Sequence, residues 1–143
     1  MAHPAFDLEV ITPEGSALRE RVTSVRLPGT DGSFGILARH APLVAALEPG
    51  LLLVEREGGK REPYAVGEGF VEVKKTGVRV LVDSCEAKTE IDVRRAERAK
   101  ERAKERLKEH DPQKVDAARA EASLRRAIVR LSVAEFAGLS GTD

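Results

Sequence analysis

The chain has no tryptophan, one tyrosine, one methionine and one cysteine in 143 residues, and aromatics make up only 3% of it. A core without large rings has to be built from Val, Leu, Ile and Ala. The lone Cys85 excludes an internal disulfide and fits a reducing compartment. Charge of one sign is also lacking: 24 basic and 24 acidic residues cancel, although charged residues reach 34%. A general nucleic-acid binder needs surplus positive charge to displace counterions from phosphates, so this balance argues against one. No stretch approaches the roughly 20 apolar residues that span a bilayer. Residues Met1 to Asp7 show neither the basic segment nor the apolar run of a signal peptide. The expectation is a soluble cytoplasmic protein that meets a membrane only through a partner. Catalytic patterns are missing too. The serines are scattered without a nucleophile elbow, there is no Walker A loop, and Cys85 has no neighbouring histidine in sequence. His3, His40 and His110 lie too far apart in sequence for ligand spacing, so no metal is expected. The chain reads as a non-catalytic protein.

What is present changes character near Lys88. Before it, Gly and Pro recur every few residues and apolar side chains tend to alternate, as in Phe6, Leu8, Val10 and in Val78, Val80, Val82. Runs at 6–12, 21–27, 51–57, 62–66, 69–74 and 77–83 read as strands, with turns at Pro13-Glu14-Gly15, Pro28-Gly29, Asp31-Gly32, Pro49-Gly50, Gly58-Gly59 and Gly77. Short strands at this spacing predict a β-sandwich or small barrel. After Lys88, Gly is absent until Gly138 and the one Pro is Pro112. Thr89 to Asp92 has capping-box form, and Asp111-Pro112 marks a second helix start. The pattern predicts helices over about 90–109 and 112–137, with Gly138 as a stop, paired as an antiparallel hairpin. The fold class is therefore mixed: residues 1–88 form a β domain and residues 89–143 a helical one.

The first predicted helix is wired in stripes of residues four apart. Ile91, Arg95, Ala99, Ala103 and Leu107 form one stripe; Arg94, Arg98, Arg102 and Arg106 a second; Glu97, Glu101, Glu105 and Glu109 a third; Ala96, Lys100, Lys104 and Lys108 the last. Each Glu stands three residues from an Arg, and such pairs add about 0.2–0.5 kcal/mol each to an isolated helix. The seam toward the second helix is expected to use Ala99 and Ala103 with Ile91 and Leu107, facing Val115 or Ala117, Ala120, Leu124, Ala127, Ile128 and Leu131. Small residues bury little area, so the helices should be stable while their docking is marginal.

A longer ordered set of motifs runs through both halves. Thr12-Pro13-Glu14-Gly15 is followed by Leu27-Pro28-Gly29, Asp31-Gly32, Phe34-Gly35-Ile36-Leu37 and His40-Ala41-Pro42-Leu43. Then come Leu47-Glu48-Pro49-Gly50-Leu51, Gly69-Phe70-Val71-Glu72-Val73, Ile91-Asp92-Val93-Arg94-Arg95-Ala96, Arg126-Ala127 and Arg130-Leu131-Ser132-Val133-Ala134. Each piece is weak, but the series in order resembles the epsilon (mitochondrial delta) subunits of F-type ATP synthases, from about residue 4 to residue 136. Two departures are local. Ala38-Arg39 stands where the family usually has Pro-Gly, and Gly67-Glu68-Gly69-Phe70 where it has Gly-Gly-Phe.

The resemblance implies a ten-stranded sandwich of two sheets followed by a helical hairpin. It implies a rotor subunit of the proton-translocating enzyme, peripheral on the cytoplasmic face of a bacterial plasma membrane. The sandwich would dock on the gamma subunit and on the polar loops of the c-ring, around Asp31, Ser33 and His40. The hairpin would fold on the sandwich or extend toward the alpha/beta catalytic head, where it restrains ATP hydrolysis. Arg119, Arg125, Arg126 and Arg130 are the basic groups expected to engage acidic surfaces there. No cofactor is required, but some relatives bind ATP in the folded hairpin. By resemblance that site would use Glu86, Ile91, Asp92, Arg95, Ala96, Arg102, Arg126 and Arg130. Arginine forks suit phosphate oxygens, and a carboxylate can accept from an adenine amino group. Plainer readings stand beside these: Asp92 as a cap, Arg102 as the partner of Glu105, Asp31-Gly32 as an ordinary turn. Two other functions stay open. One is a purely coupling subunit with a non-inhibitory hairpin. The other is a hairpin nucleic-acid module using the Arg94–Arg106 stripe, against which the neighbouring Glu stripe speaks.

Overall fold

The computed structural model describes residues 3–109 and 116–137. Ten strands come first: β1 (Phe6–Thr12), β2 (Gly15–Val22), β3 (Ser24–Gly29), β4 (Gly32–Ile36), β5 (Leu43–Leu47), β6 (Gly50–Glu55), β7 (Arg61–Val66), β8 (Gly69–Lys74), β9 (Gly77–Val82) and β10 (Cys85–Ala87). Two α-helices follow, α1 (Val93–Lys108) and α2 (Ala117–Glu135), with a single 3-10 turn at Lys88–Glu90 before them.

Alternation decides which side chains go inward. In β9, Val78, Val80 and Val82 are buried while Arg79 faces solvent; in β1, Leu8 and Val10 are buried. These join Val22, Val25, Leu27, Ile36, Leu52, Val54, Val71 and Val73 in a core with one ring, Tyr64. The core is closed within the sandwich and draws no residue from either helix.

Hydrogen bonding makes two layers joined at one corner. β10, β7, β6, β3 and β4 pair in one; β5, β8, β9, β1 and β2 in the other. The link is β3. Its first residues pair with β6 at Ser24 to Arg26, and its last, Gly29, pairs with Leu47 of β5. The backbones pass so closely there that a side chain at Gly50 would meet Pro28 Cβ at 2.4 Å. Every pairing is antiparallel except β1 with β9, which sets Val10 beside Val80.

Several predicted boundaries move. The run 21–27 is the end of β2 and most of β3, broken at the buried Thr23. The pattern did not reveal the first part of β2, nor β4, β5 and β10, which are short or Gly- and Ala-rich and are held by neighbours rather than by propensity. α1 starts at Val93 instead of 90. Its cap is Asp92, whose Oδ1 accepts from the Arg95 amide at 3.1 Å, rather than Thr89. The Glu90 carboxylate turns back to the Ala87 amide at 2.9 Å, which ends the 3-10 turn as a separate unit. α2 starts at Ala117, capped by Asp116 onto the Arg119 amide at 3.1 Å. Asp111, Pro112, Val115 and Gly138 lie outside the described residues.

The helix seam is corrected in the same way. Ala96 and Ala103 of α1 are buried with Ala120, Ala127 and Val133 of α2, whereas Ile128 is 43% exposed. Ala96 and Ala103 stand seven residues apart, close to two full turns, so they share the inner face. Among the described residues the one ion pair within α1 is Lys108–Glu105 at 3.9 Å; the Arg and Glu stripes are exposed to solvent. Arg39 has φ +64°, a left-handed conformation that costs a non-glycine residue about 1–2 kcal/mol.

Gly69 tests the packing of the second layer. A Cβ there would lie 1.8 Å from the Leu81 carbonyl oxygen, so Gly69→Ala must force β8 and β9 apart. The expected loss is about 2–3 kcal/mol, read as a lowered urea midpoint with an unchanged slope.

Candidate functional site

α2 lies on the outer face of β6 and β7. This explains why Pro63, Tyr64, Ala65 and Val66 are all buried, breaking the alternation a half-exposed strand would show. Three polar contacts pin the hairpin there. Arg130 Nε donates to Glu86 Oε1 at 2.6 Å, the Lys88 ammonium donates to the Phe136 carbonyl, and Arg125 Nη1 stands 3.8 Å from Glu48 Oε2. The end of α2 thus lies beside the start of α1, so the helices run antiparallel.

This docking creates a cleft of about 680 Å³. One wall is the β1–β2 turn, from Thr12 to Ala17; a second is the β9–β10 connection, from Asp83 to Glu86. The third is the inner face of α1, with Asp92, Arg95, Ala96, Ala99 and Arg102, and Arg130 enters from α2. The spacing is helical: Arg95, Ala99 and Arg102 recur at four and three residues, so both arginines reach the same space.

The charges are mixed rather than simply basic. Three arginines face Glu14, Asp83, Glu86, Glu90 and Asp92. Several of those carboxylates are already engaged. Glu86 holds Arg130, Glu90 accepts from Ala87 and Asp92 caps α1. Arg95 and Arg102 have no ion-pair partner among the described residues, so two guanidinium forks are unspent beside a small-residue floor of Ala96 and Ala99. Such forks suit paired oxygens of a phosphate or carboxylate.

Of the residues expected at an ATP site, the cleft gathers Glu86, Asp92, Arg95, Ala96, Arg102 and Arg130. Ile91 and Arg126 do not line it. Ile91 is half-buried between the 3-10 turn and α1. Arg126 lies on the side of α2 toward Ala65 and donates to Ser123 Oγ at 3.3 Å. Sequence reasoning missed the walls from Thr12–Ala17 and Asp83–Cys85, which no local pattern marks because only strand pairing brings them there.

The other expected contact residues are dispersed. Asp31 and Ser33 are exposed at the β3–β4 turn, while His40 is half-buried past the far end of β4, its Nδ1 2.7 Å from the Ala41 carbonyl. Arg119 is exposed near the start of α2, and Arg125 and Arg130 face the sandwich through their carboxylate partners. A further charged group, Arg56 with Glu20 at 2.6 Å, Glu62 and the Tyr64 hydroxyl at 3.3 Å, lies outside the cleft. Burial opposes the Arg56 charge, but bonds to Tyr64, Glu62 and Glu20 outweigh it and raise its pKa; burial likewise raises that of Tyr64. Among the described residues no three His, Cys, Asp or Glu side chains converge as metal ligands, and no helix is long and apolar enough to cross a membrane.

A ten-stranded sandwich with its own core thus carries a two-helix hairpin, with a cleft between the two. The family models agree in detail: the ATP synthase Delta/Epsilon chain β-sandwich domain matches residues 5–88, and its long α-helix domain matches residues 89–135. The chain belongs to the ATP synthase delta/epsilon family, whose members are non-catalytic chains. It is 43% identical over 135 residues to the ATP synthase epsilon chain of Syntrophomonas wolfei, covering 94% of this chain and 98% of that one. It is 45% identical over 130 residues to that of Anaeromyxobacter dehalogenans, covering 91% and 98%. A chain in the cryo-EM structure of the Euglena gracilis mitochondrial ATP synthase, comprising OSCP, F1 and c-ring, superposes with a TM-score of 0.80 at 27% identity, over 95% of this chain and 83% of that one. A central-stalk chain of the Tetrahymena thermophila enzyme shares the fold, with a TM-score of 0.55 at 15% identity over 92% and 96%.

Cys85 gives a check on the cleft wall. Burial, then the charges of Glu90 and Glu86, push its thiol from the usual 9.0 up to about 11. At pH 8 that leaves roughly 100-fold less thiolate than in the unfolded chain. Iodoacetamide should therefore modify the native protein about two orders of magnitude more slowly than the urea-unfolded one, timed by mass spectrometry.

Proposed function

We propose that this chain is the rotor-stalk epsilon subunit that couples the alpha/beta catalytic head of a bacterial F-type ATP synthase to its proton-driven c-ring. In this reading the hairpin also restrains ATP hydrolysis. The sandwich docks on gamma and the c-ring through the surfaces that carry Asp31, Ser33 and His40, and so stays peripheral on the cytoplasmic face of the membrane. The hairpin exchanges its seat on β6 and β7 for the head, where Arg119, Arg125, Arg126 and Arg130 meet acidic surfaces. ATP is a regulatory ligand of the cleft, not a substrate.

One observation carries this reading: the cleft has walls from the sandwich and from both helices, so it exists only while the hairpin is docked. A ligand shifts a conformational balance only by binding one state better. ATP held by Arg95, Arg102 and Arg130 favours the docked hairpin and so releases the brake.

Two measurements test this. With the matching head and gamma, the full chain should slow ATP hydrolysis while residues 1–88 bind and do not. Equal turnover with both would reduce the subunit to a coupling part. In calorimetric titrations, Arg95→Ala or Arg102→Ala should each weaken ATP binding about 10- to 100-fold, the scale of one charged hydrogen bond. Unchanged affinity in both variants would remove ATP from the cleft.

A further inference from the structure

The opposite end of the sandwich holds a second cavity, of about 300 Å³, where β1 and β9 begin rather than end. Six ionisable side chains line it: Asp7 and Arg21 from β1 and β2, Arg39 and His40 from the β4–β5 connection, Lys74 from the end of β8 and Lys75 from the β8–β9 turn. Arg21 is 3.1 Å from Asp7, and Lys74 is 3.4 Å from Glu72. Arg39 and Lys75 have no ion-pair partner among the described residues. Four permanent cations therefore share this end with two carboxylates, in a protein whose net charge is zero.

The cavity is braced. Gly77 has φ +148°, and a side chain there would come within 2.7 Å of the Asp7 carbonyl oxygen, so the turn that follows Lys74 and bears Lys75 is held against β1. On the other wall the His40 amide closes a turn onto the Leu37 carbonyl at 3.3 Å, with Arg39 at the third position in the left-handed region. Glycine is at ease at that position of a turn and arginine is not. A strained backbone that carries an unpaired guanidinium into a basic cavity points to a ligand for the guanidinium.

We propose that this cavity binds a phosphoryl group, either a small free phosphate anion or the headgroup of an anionic phospholipid. Its size is at the lower limit of small-molecule pockets, so it takes a small, multiply charged anion. The Arg39 fork supplies paired hydrogen bonds, and Lys74 and Lys75 supply point charge. The inference does not rest on the ATP cleft; it shares His40 with the docking surface proposed above, so a bound anion and docking through His40 compete.

The test uses the full ¹⁵N-labelled chain at low salt and follows the amides of residues 37–40 and 74–77. Sodium pyrophosphate is one probe; vesicles of phosphatidylcholine with and without phosphatidylglycerol are the other. Saturable shifts at these amides are expected, lost as salt rises. Arg39→Gly should weaken binding at least tenfold while leaving the melting temperature equal or higher, because glycine relieves the turn; Lys75→Ala should weaken it about threefold. Arg102→Ala, in the other cleft, should change nothing here. Response to pyrophosphate alone assigns a soluble anion, and tighter response to phosphatidylglycerol vesicles assigns a headgroup. The proposal is overturned if neither probe moves these amides, or if Arg39→Gly responds like the parent chain.

Discussion

The contact between α2 and the outer face of β6 and β7 governs the arrangement of everything outside the sandwich core. It buries Ala65 on what would otherwise be an open sheet face and sets Arg130 against Glu86 on β10. It also holds α1 over the β1–β2 turn, which makes the cleft. Its strength is modest. The buried residues of the two helices are Ala96, Ala103, Ala120, Ala127 and Val133, small groups that remove little apolar area from water. The Arg130–Glu86 pair is about a third exposed, so solvent screens it and its net worth stays near 1 kcal/mol. Arg125 and Glu48 are more exposed still. A surface that offers the hairpin comparable contacts can compete for it.

The sandwich is insulated from that competition. Its core runs from Leu8 to Val82 and includes no helical side chain. Its two layers are joined through β3, whose end at Gly29 pairs across to Leu47. A sandwich with its own core and a hairpin seated on it by small side chains are thus built from one chain. The chemistry divides the same way. Unspent arginines face the mixed-charge cleft from the hairpin, while the basic cavity belongs wholly to the sandwich.

Much of this was legible in the residue pattern, and the misses have physical causes. The alternation at Val78, Val80 and Val82 reads directly as a strand because one face is buried and the other wet. β4 and β5 did not announce themselves, since Gly32, Gly35, Ala45 and Ala46 have little strand preference and are placed by pairing with β3 and β8. The cap of α1 was misplaced by three residues because Thr89 and Asp92 both offer an oxygen to a following amide. The choice fell to Asp92 once Glu90 had turned back to Ala87.

The sequence by itself determined the division near Lys88, the Val- and Leu-built core, the helical hairpin and the family. All of these rest on local periodicity or on ordered motifs. Only the tertiary structure decided which arginines share a space. Arg95 and Arg102 meet Glu86 and Arg130, while Arg126, four residues from Arg130, turns away. It also decided that Thr12–Ala17 and Asp83–Cys85 form walls of the same cleft. The reason is that helix phase and strand register set these meetings. Both depend on how α2 sits on β6 and β7 and on the parallel pairing of β1 with β9, contacts between residues far apart in the chain that no local pattern encodes.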